Sequence, residues 1–203
     1  MTRRIALYLF IAVIAAVSVS AWAVTGEEAV DKLKSRLYSI NTMRGTISIT
    51  HSSGEIYTGA FKYMSGGKFY IQFSAPAGKV IATNGKKLWV YDKADNVCGV
   101  QDVDKSMSGG LAGYITGYLP MATPSGSSDT IIKLKSSTRN YRDVIIQVDS
   151  SFMPKKMTFR QDDGKGFTVT LSNVMINEPM APGLFDFNIP ANAQVVKNPL
   201  NVR

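Results

Sequence analysis

Hydrophobic and polar residues alternate with a period of two along most of the chain beyond residue 42. Such alternation is typical of β-strands that bury one face and expose the other. From its repeats we predict about nine to eleven antiparallel strands. The apolar positions that define them are Ile47, Ile49, Tyr57, Phe61, Tyr63, Phe69, Ile71, Phe73, Ile132, Leu134, Val144, Ile146, Val148, Met157, Phe159, Phe167, Val169 and Leu171.

Short polar and glycine-rich segments at residues 52–54, 65–67 and 162–165 separate these strands and predict turns. Asn84 and Gly85 predict a type I′ hairpin, because both central residues of that turn need positive φ. A meander is the simplest topology. We expect so many antiparallel strands to close or nearly close, because an open sheet leaves an apolar face that helices have to cover.

Two segments have helical spacing instead. In the first, Thr25 and Glu28 form a capping box, and the apolar positions that follow predict a helix over residues 27–39. Those positions are Val30, Leu33, Leu37 and Ile40.

The second helical segment covers residues 107–119 and contains four glycines. Each interior glycine costs about 1 kcal/mol relative to alanine, so a helix here would be weakened by roughly 4 kcal/mol. We predict a lid; a glycine-rich loop with a few buried anchors is the alternative, and the spacing does not choose between them. The apolar lid positions are Met107, Leu111, Tyr114, Ile115 and Tyr118.

These elements predict an α+β, mostly β fold. It is an incomplete antiparallel β-barrel whose concave mouth is covered by the N-terminal helix and the lid helix. The mouths of β-barrels are common ligand sites, and large inward side chains need not fill such a strongly curved sheet. By themselves, however, these side chains are better explained as a dry packed core. The candidate cavity residues are Ile47, Ile49, Phe61, Tyr63, Phe69, Ile71, Phe73, Val144, Ile146, Met157 and Phe159.

The N-terminus has the order of residues found in secretory signal peptides. Arg3 and Arg4 precede an uncharged run that ends in A-W-A at residues 21–23, where we expect cleavage. Residues 24–203 would then form one domain. A retained membrane anchor is the alternative, because the uncharged stretch continues slightly beyond this point and is about long enough to span a bilayer.

Charge and cysteine content narrow the function classes. Loss of Arg3 and Arg4 lowers the formal net charge from +8 to +6, and the basic residues are spread along the chain, so we expect no nucleic-acid partner. Cys98 is the only cysteine, which excludes an intrachain disulfide. Cys98 and the lone His51 lie on different predicted segments without a third group to orient them, so no catalytic residue is assigned. The spacing contains no metal-site or phosphate-loop motif, and we expect no metal or cofactor.

The run from Gly59 to Asp92 resembles the signature region of LolA-type carriers of outer-membrane lipoproteins. A strand opened by glycine, an aromatic strand and a proline are followed by (S/T)-(D/N)-G-K-x-L-W-x-Y at residues 83–91. Residues 31–37 resemble the first LolA helix. The end of the chain is similar to the closing family motif N-x(n)-F-x-F-x-x-P, here with Asn177, Phe185, Asp186, Phe187, Ile189 and Pro190.

The resemblance covers nearly the whole mature chain and implies a monomeric periplasmic carrier without enzymatic activity. Such a carrier takes the acyl chains of lipoproteins from an inner-membrane ABC transporter and hands them to an outer-membrane receptor. Phe69 matches the aromatic position of the third family strand, near the cavity mouth. Two alternatives stay open: a carrier or sensor of a free lipid that uses the same cavity, and a structural envelope protein whose barrel is filled by its own side chains.

One position departs from the family pattern. The family has an arginine followed by proline at the turn before Phe69, where the arginine latches the lid by hydrogen bonding. Here the two positions are Ser65 and Gly66. A serine has neither the charge nor the several donors of a guanidinium group. The latch is therefore expected to be missing, moved or replaced by packing.

Overall fold

The computed structural model describes residues 25–103, 110–113, 115–121 and 129–198. These residues form two α-helices, one 3-10 helix and twelve β-strands. In chain order the elements are α1 (Gly26–Tyr38), β1 (Thr42–His51), β2 (Ile56–Met64), β3 (Lys68–Ala75), β4 (Ala77–Asn84), β5 (Lys87–Asp92), β6 (Val97–Asp102), α2 (Gly110–Gly113), β7 (Leu119–Met121), β8 (Thr130–Lys135), β9 (Asp143–Val148), β10 (Pro154–Arg160), β11 (Gly166–Ile176), the 3-10 helix (Pro182–Phe185) and β12 (Gln194–Lys197).

All twelve strands belong to one sheet, in the order β12-β6-β5-β4-β3-β2-β1-β11-β10-β9-β8-β7. Two antiparallel meanders, β1 to β6 and β7 to β11, meet where β1 pairs with β11. The edge strands β7 and β12 are not paired with each other within the described residues, so the sheet is open, as predicted for an incomplete barrel. The strand number is one above the predicted range, because the short strands β7 and β12 have too few residues to show an alternating pattern.

Helix α1 lies one residue before the predicted range. The Thr25 hydroxyl caps its first turn by accepting a hydrogen bond from the backbone N–H of Glu28 at 3.2 Å. Four apolar side chains, Ala29, Val30, Leu33 and Leu37, are buried. Burying one leucine or valine side chain contributes about 1.5–3 kcal/mol, so α1 is held mainly by this stripe. No helix in the described part of the chain has the length and apolar character needed to cross a membrane.

The two faces of the sheet have separate hydrophobic cores. We call the face under α1 the inner face and the opposite one the outer face. The outer core contains Val80, Ala82, Trp89 and Cys98, and the C-terminal segment packs on it through Phe187 and Ile189. The buried members of the inner core are Ala29, Val30, Leu33, Leu37, Ile40, Met43, Ile47, Phe61, Tyr63, Ala112, Ile115, Ile132, Leu134, Val144, Ile146, Val148, Met153 and Val169.

A β-bulge near the end of β11 changes which side chains face inward. The register with β1 shifts here, and Asn173 has a positive φ of 51°. The extra residue reverses the alternation after Leu171. As a result Val174 and Ile176 pack against the inner core, as Leu171 does before the bulge.

The turn at Asn84 and Gly85 is not the predicted type I′ hairpin, because only Gly85 has a positive φ, of 85°. The Asn84 side-chain oxygen accepts hydrogen bonds from the backbone N–H groups of Lys86 and Lys87, both at 3.0 Å. The Thr83 hydroxyl accepts another from the N–H of Gly85 at 3.0 Å. These side-chain bonds stabilise Asn84 as the residue before the turn, so it does not need the left-handed conformation.

Candidate functional site

The side chains predicted to line a cavity lie together on the inner face. The sheet brings both halves of the set to the same side, and each half forms cross-strand neighbours. The pairs in register are Phe61 with Ile71, Tyr63 with Phe69, Met157 with Ile146, and Phe159 with Val144.

Most of these side chains are packed against one another and against α1. Ile47, Phe61, Val144 and Ile146 are 7%, 5%, 1% and 2% exposed. Ile49, Ile71, Met157 and Phe159 are partly buried at the same core, which also contains Tyr63. A guest molecule on the inner face must therefore displace α1 or the segment around α2.

The inner face is covered unevenly. Phe69, on β3, is half-buried and lies opposite Tyr63 and Thr83 on the neighbouring strands. Phe73, farther along β3, is buried and contacts the ring of Tyr57. Toward β5 the cover is thinner, since Val90 is 47% exposed. Apolar surface is therefore accessible beside Phe69.

Part of the predicted lid lies within the described residues, as α2 and residues 115–121. Leu111 and Tyr118 are half-buried and Ile115 is 7% exposed, and all three pack in the inner core. Met107 and Tyr114 lie outside the described residues. The described part of the lid therefore covers the inner face beside α1.

The loop between β8 and β9 braces the chain after α2. Arg139 Nη2 donates a hydrogen bond to the carbonyl oxygen of Thr116 at 2.8 Å. The Tyr118 hydroxyl donates to the carbonyl oxygen of Tyr141 at 2.9 Å, and burial raises the pKa of this hydroxyl, which keeps it protonated. The sequence did not identify Arg139, because a loop arginine more than twenty positions away has no local signal.

A groove runs along the side of α1 that faces the turn between β9 and β10. Its wider part, about 670 Å³, is polar and lies beside the first turns of α1. Its narrower part, about 330 Å³, lies between the end of α1 and the bulged end of β11. Arg36 and Ser151 line both parts. The sequence did not predict this groove, since it is formed by elements that are far apart in the chain.

A family model described as outer membrane lipoprotein carrier protein LolA matches residues 39–188. The chain belongs to the LolA family. The outer-membrane lipoprotein carrier protein of Legionella pneumophila (strain Lens) is 24% identical over 187 residues, covering 86% of this chain and 92% of the relative. That of Pasteurella multocida (strain Pm70) is 23% identical over 188 residues, covering 88% and 89%.

A solved structure supports the same LolA-like fold. The crystal structure of an uncharacterized conserved protein from Thermus thermophilus has a TM-score of 0.58 and 13% identity, and covers 84% of this chain and 98% of that one. At this identity the likeness concerns the fold alone.

The two LolA motifs of the chain contact each other on the outer face. Asn84, in the first motif, donates a hydrogen bond from its side chain to the carboxylate of Asp186, in the closing motif, at 2.8 Å. The rings of Tyr91 and Phe187 pack with their centroids 5.6 Å apart. These motif residues hold the fold together from the face opposite the inner core.

Asn177, the first residue of the closing LolA motif, fastens the junction between α1 and β1. Its side-chain oxygen accepts from the backbone N–H of Asn41 at 2.8 Å, and its side-chain nitrogen donates to the carbonyl oxygen of Ser39 at 3.0 Å. Its own N–H donates to the carbonyl oxygen of Thr42 at 2.8 Å. The C-terminal end of α1 is thereby anchored to the end of β11.

The departure from the LolA pattern lies in the turn between β2 and β3. Ser65 donates its backbone N–H to the carbonyl oxygen of Asn41 at 2.7 Å. Gly66 has a φ of 84°, and its carbonyl oxygen lies so close to Gly85 that a Cβ there would be 2.7 Å away. This turn thus joins the neighbouring hairpin, and among the described residues the arginine that bonds to the segment after α2 is Arg139.

His51 and Cys98 do not come together. Cys98 is fully buried in the outer core, and burial raises the pKa of its thiol. His51 is exposed at the end of β1, where its ring contacts Tyr57 and Phe167. A protonated thiol on one face and an imidazole at the edge of the other do not form a nucleophile and base.

Proposed function

We propose that this protein is a periplasmic carrier that binds the acyl chains of lipoproteins released from the inner membrane and delivers them to the outer membrane. The observation that supports this most is the LolA match over residues 39–188. The continuous apolar inner face supplies the surface that such a cargo needs. The curated relatives are named outer-membrane lipoprotein carriers.

The free energy of exposing acyl chains explains why a carrier is needed. Each methylene kept from water is worth about 0.8 kcal/mol, so one long chain amounts to roughly 10 kcal/mol. Such a cargo cannot cross an aqueous compartment unshielded. The inner face can replace water around the chains once α1 and the lid move aside.

The packed inner core makes this binding reversible. The apolar stripe of α1 occupies the surface where acyl chains would lie, so cargo replaces contacts within the protein by contacts with lipid. The net free energy is then the difference of two similar terms, which suits a protein that must also release its cargo.

The compartment and the partners follow from the same proposal. Residues 1–23 act as a cleaved signal peptide, and residues 24–203 work as a monomer in the periplasm. An inner-membrane ABC transporter supplies the lipoproteins, and an outer-membrane receptor accepts them. The protein acts by binding and needs neither catalysis nor a cofactor.

Cargo release from spheroplasts tests the proposal. The exported protein, recovered from the periplasm and checked by intact mass for cleavage after residue 23, is incubated with spheroplasts that accumulate triacylated lipoprotein. A soluble one-to-one complex is expected. Phe69→Glu should abolish it, because a charge would enter the apolar contact surface. Gln72→Glu is the matched control, since Gln72 is exposed on the outer side of the same strand and the variant should release lipoprotein normally.

The alternatives give different results. A protein that releases no lipoprotein but contains a free lipid in native mass spectrometry would be a lipid carrier or sensor. A protein that is empty in both assays would have a barrel filled only by its own side chains. Equal loss of release in both charge variants would indicate a general defect and contradict a contact at Phe69.

A further inference from the structure

We infer that the narrow part of the groove, between the end of α1 and the bulged end of β11, is the opening through which acyl chains reach the inner face, and that Arg36 binds the ester carbonyl at the polar end of the chain. This inference rests on the proposed function. It identifies the opening and the polar contact within the binding site.

The floor of the narrow groove is the flank of the inner core. Met153, Leu171, Val174 and Ile176 line the groove, and the same four side chains pack in the inner core. The volume of about 330 Å³ lies at the lower end of the range for ligand sites. A chain that enters here meets the core directly.

The wall of the groove has an unused hydrogen-bond donor. Arg36 Nε is shielded from solvent and has no hydrogen-bond partner within the part of the chain that the structure describes. A shielded donor without an acceptor costs about 1–3 kcal/mol. The nearest carboxylate along the groove, Asp149, is occupied, because its oxygen accepts bonds from the backbone N–H groups of Ser151 and Met153 at 2.8 and 3.0 Å. An incoming acceptor would therefore satisfy Arg36 without breaking an existing bond.

The bulge forms the other side of the opening. Asn173 lines the groove in a left-handed conformation, with a φ of 51°. Residues held in such conformations cluster at ligand sites and switch regions. Because the bulge reverses the alternation of β11, Val174 points to the core and extends the apolar floor to the rim of the groove.

The occupant that fits is the acylated end of a lipoprotein. An apolar floor continuous with the core requires a hydrocarbon chain, and a single donor above it requires a neutral acceptor at the head of that chain. The two cations that line this groove, Arg36 and Lys155, favour electron-rich oxygen atoms, and Lys155 is already paired with Asp129 at 3.1 Å. An acyl ester provides both features.

Photo-cross-linking with a triacylated lipopeptide tests this assignment. The probe has a diazirine on the acyl carbon next to the ester, and the full exported protein is used. Cross-links are expected at Met153, Val174 and Ile176. A phospholipid with the same diazirine distinguishes lipoprotein from membrane lipid, and stronger cross-linking by the phospholipid would overturn the choice of occupant.

Affinity measurements with the same lipopeptide test the role of Arg36. Arg36→Met should weaken binding about tenfold, as expected for the loss of one charge-assisted hydrogen bond. Arg36→Lys retains the charge but has no donor at the Nε position, so it should bind as weakly. Lys34→Met removes a charge from the same helix outside the groove and should bind like the unaltered protein. Thermal unfolding shows that each variant is folded.

The outcomes separate this inference from the proposed function. If the unaltered protein binds no lipopeptide, the carrier function fails and the inference fails with it. If it binds but the cross-links lie away from the groove, or if Arg36→Met or Arg36→Lys binds fully, the inference alone is overturned.

Discussion

Asn177 anchors α1 with one side chain. It holds Ser39 and Asn41 through two side-chain hydrogen bonds while its backbone has a φ of 57°. We expect Asn177→Ala to lower the free energy of unfolding by about 1–2 kcal/mol, because alanine makes neither bond and is strained in the left-handed region. Urea unfolding measures the difference. Asn177→Gly is the matched control for strain, and full stability of both variants would contradict the anchoring role.

Lys79 holds Asp92 in its charged form across β4 and β5. The hydrogen bond from Lys79, aided by the backbone N–H of Ala94, lowers the pKa of Asp92 below its ordinary value of 3.8. The same bond raises the pKa of Lys79 above 10.5. The lowered acid pKa stabilises the fold above pH 3.8 and is lost as pH falls through it; the raised lysine pKa stabilises below pH 10.5 and is lost as pH rises through it.

Asp92→Asn should therefore lower the urea midpoint at pH 7, and its effect should shrink as the pH falls below 3.8. Asp102→Asn is the matched control. Asp102 also pairs with a lysine, Lys87, at 3.0 Å, but it is 77% exposed, so its loss should change the midpoint less. A deficit of Asp92→Asn that stays constant down to about pH 2.5 would contradict this account.

Helix α1 was predictable from sequence because its signals are local. Thr25, Glu28 and the apolar stripe lie within one stretch of chain, and the structure places the helix within one residue of the prediction. The β11 bulge was not predictable in this way. Asn173 has a left-handed conformation that depends on pairing with β1, which lies more than a hundred residues earlier. The alternating strands gave the inner face, whereas the Arg139 brace and the groove beside α1 arise only from contacts between distant elements.

Leu33 links the stability of α1 to cargo binding. It is 0% exposed in the middle of the buried stripe. Leu33→Ala should lower the free energy of unfolding by about 2–5 kcal/mol through the cavity that it leaves. The same variant should bind triacylated lipopeptide more tightly, because it weakens the closed packing with which cargo competes.

Denaturant unfolding and lipopeptide titration, run on the same samples, measure both effects. Ser35→Ala changes an exposed position of the same helix and should leave both values unchanged. Weaker binding by Leu33→Ala, in a sample that is folded, would show that α1 forms part of the binding surface and is not its competitor.

The whole molecule separates stability from binding by using opposite faces of one sheet. The family motifs meet on the outer face, through Asn84 with Asp186 and Tyr91 with Phe187. The inner face is apolar and is covered by elements that can be exchanged for a guest. Recognition of the motifs from sequence therefore identified the fold, and the residues that would contact cargo followed only from their register on the other face.

The unpaired edges β7 and β12 have a mechanical consequence. In a closed barrel, the number of strands and the stagger of their hydrogen bonds fix the circumference. Here no such closure exists among the described strands, so the curvature of the wall can change while each strand keeps its hydrogen bonds to its neighbours. The deformation is shared among small changes in twist between adjacent strands. An elastic wall of this kind can adapt its volume to guests of different size without partial unfolding.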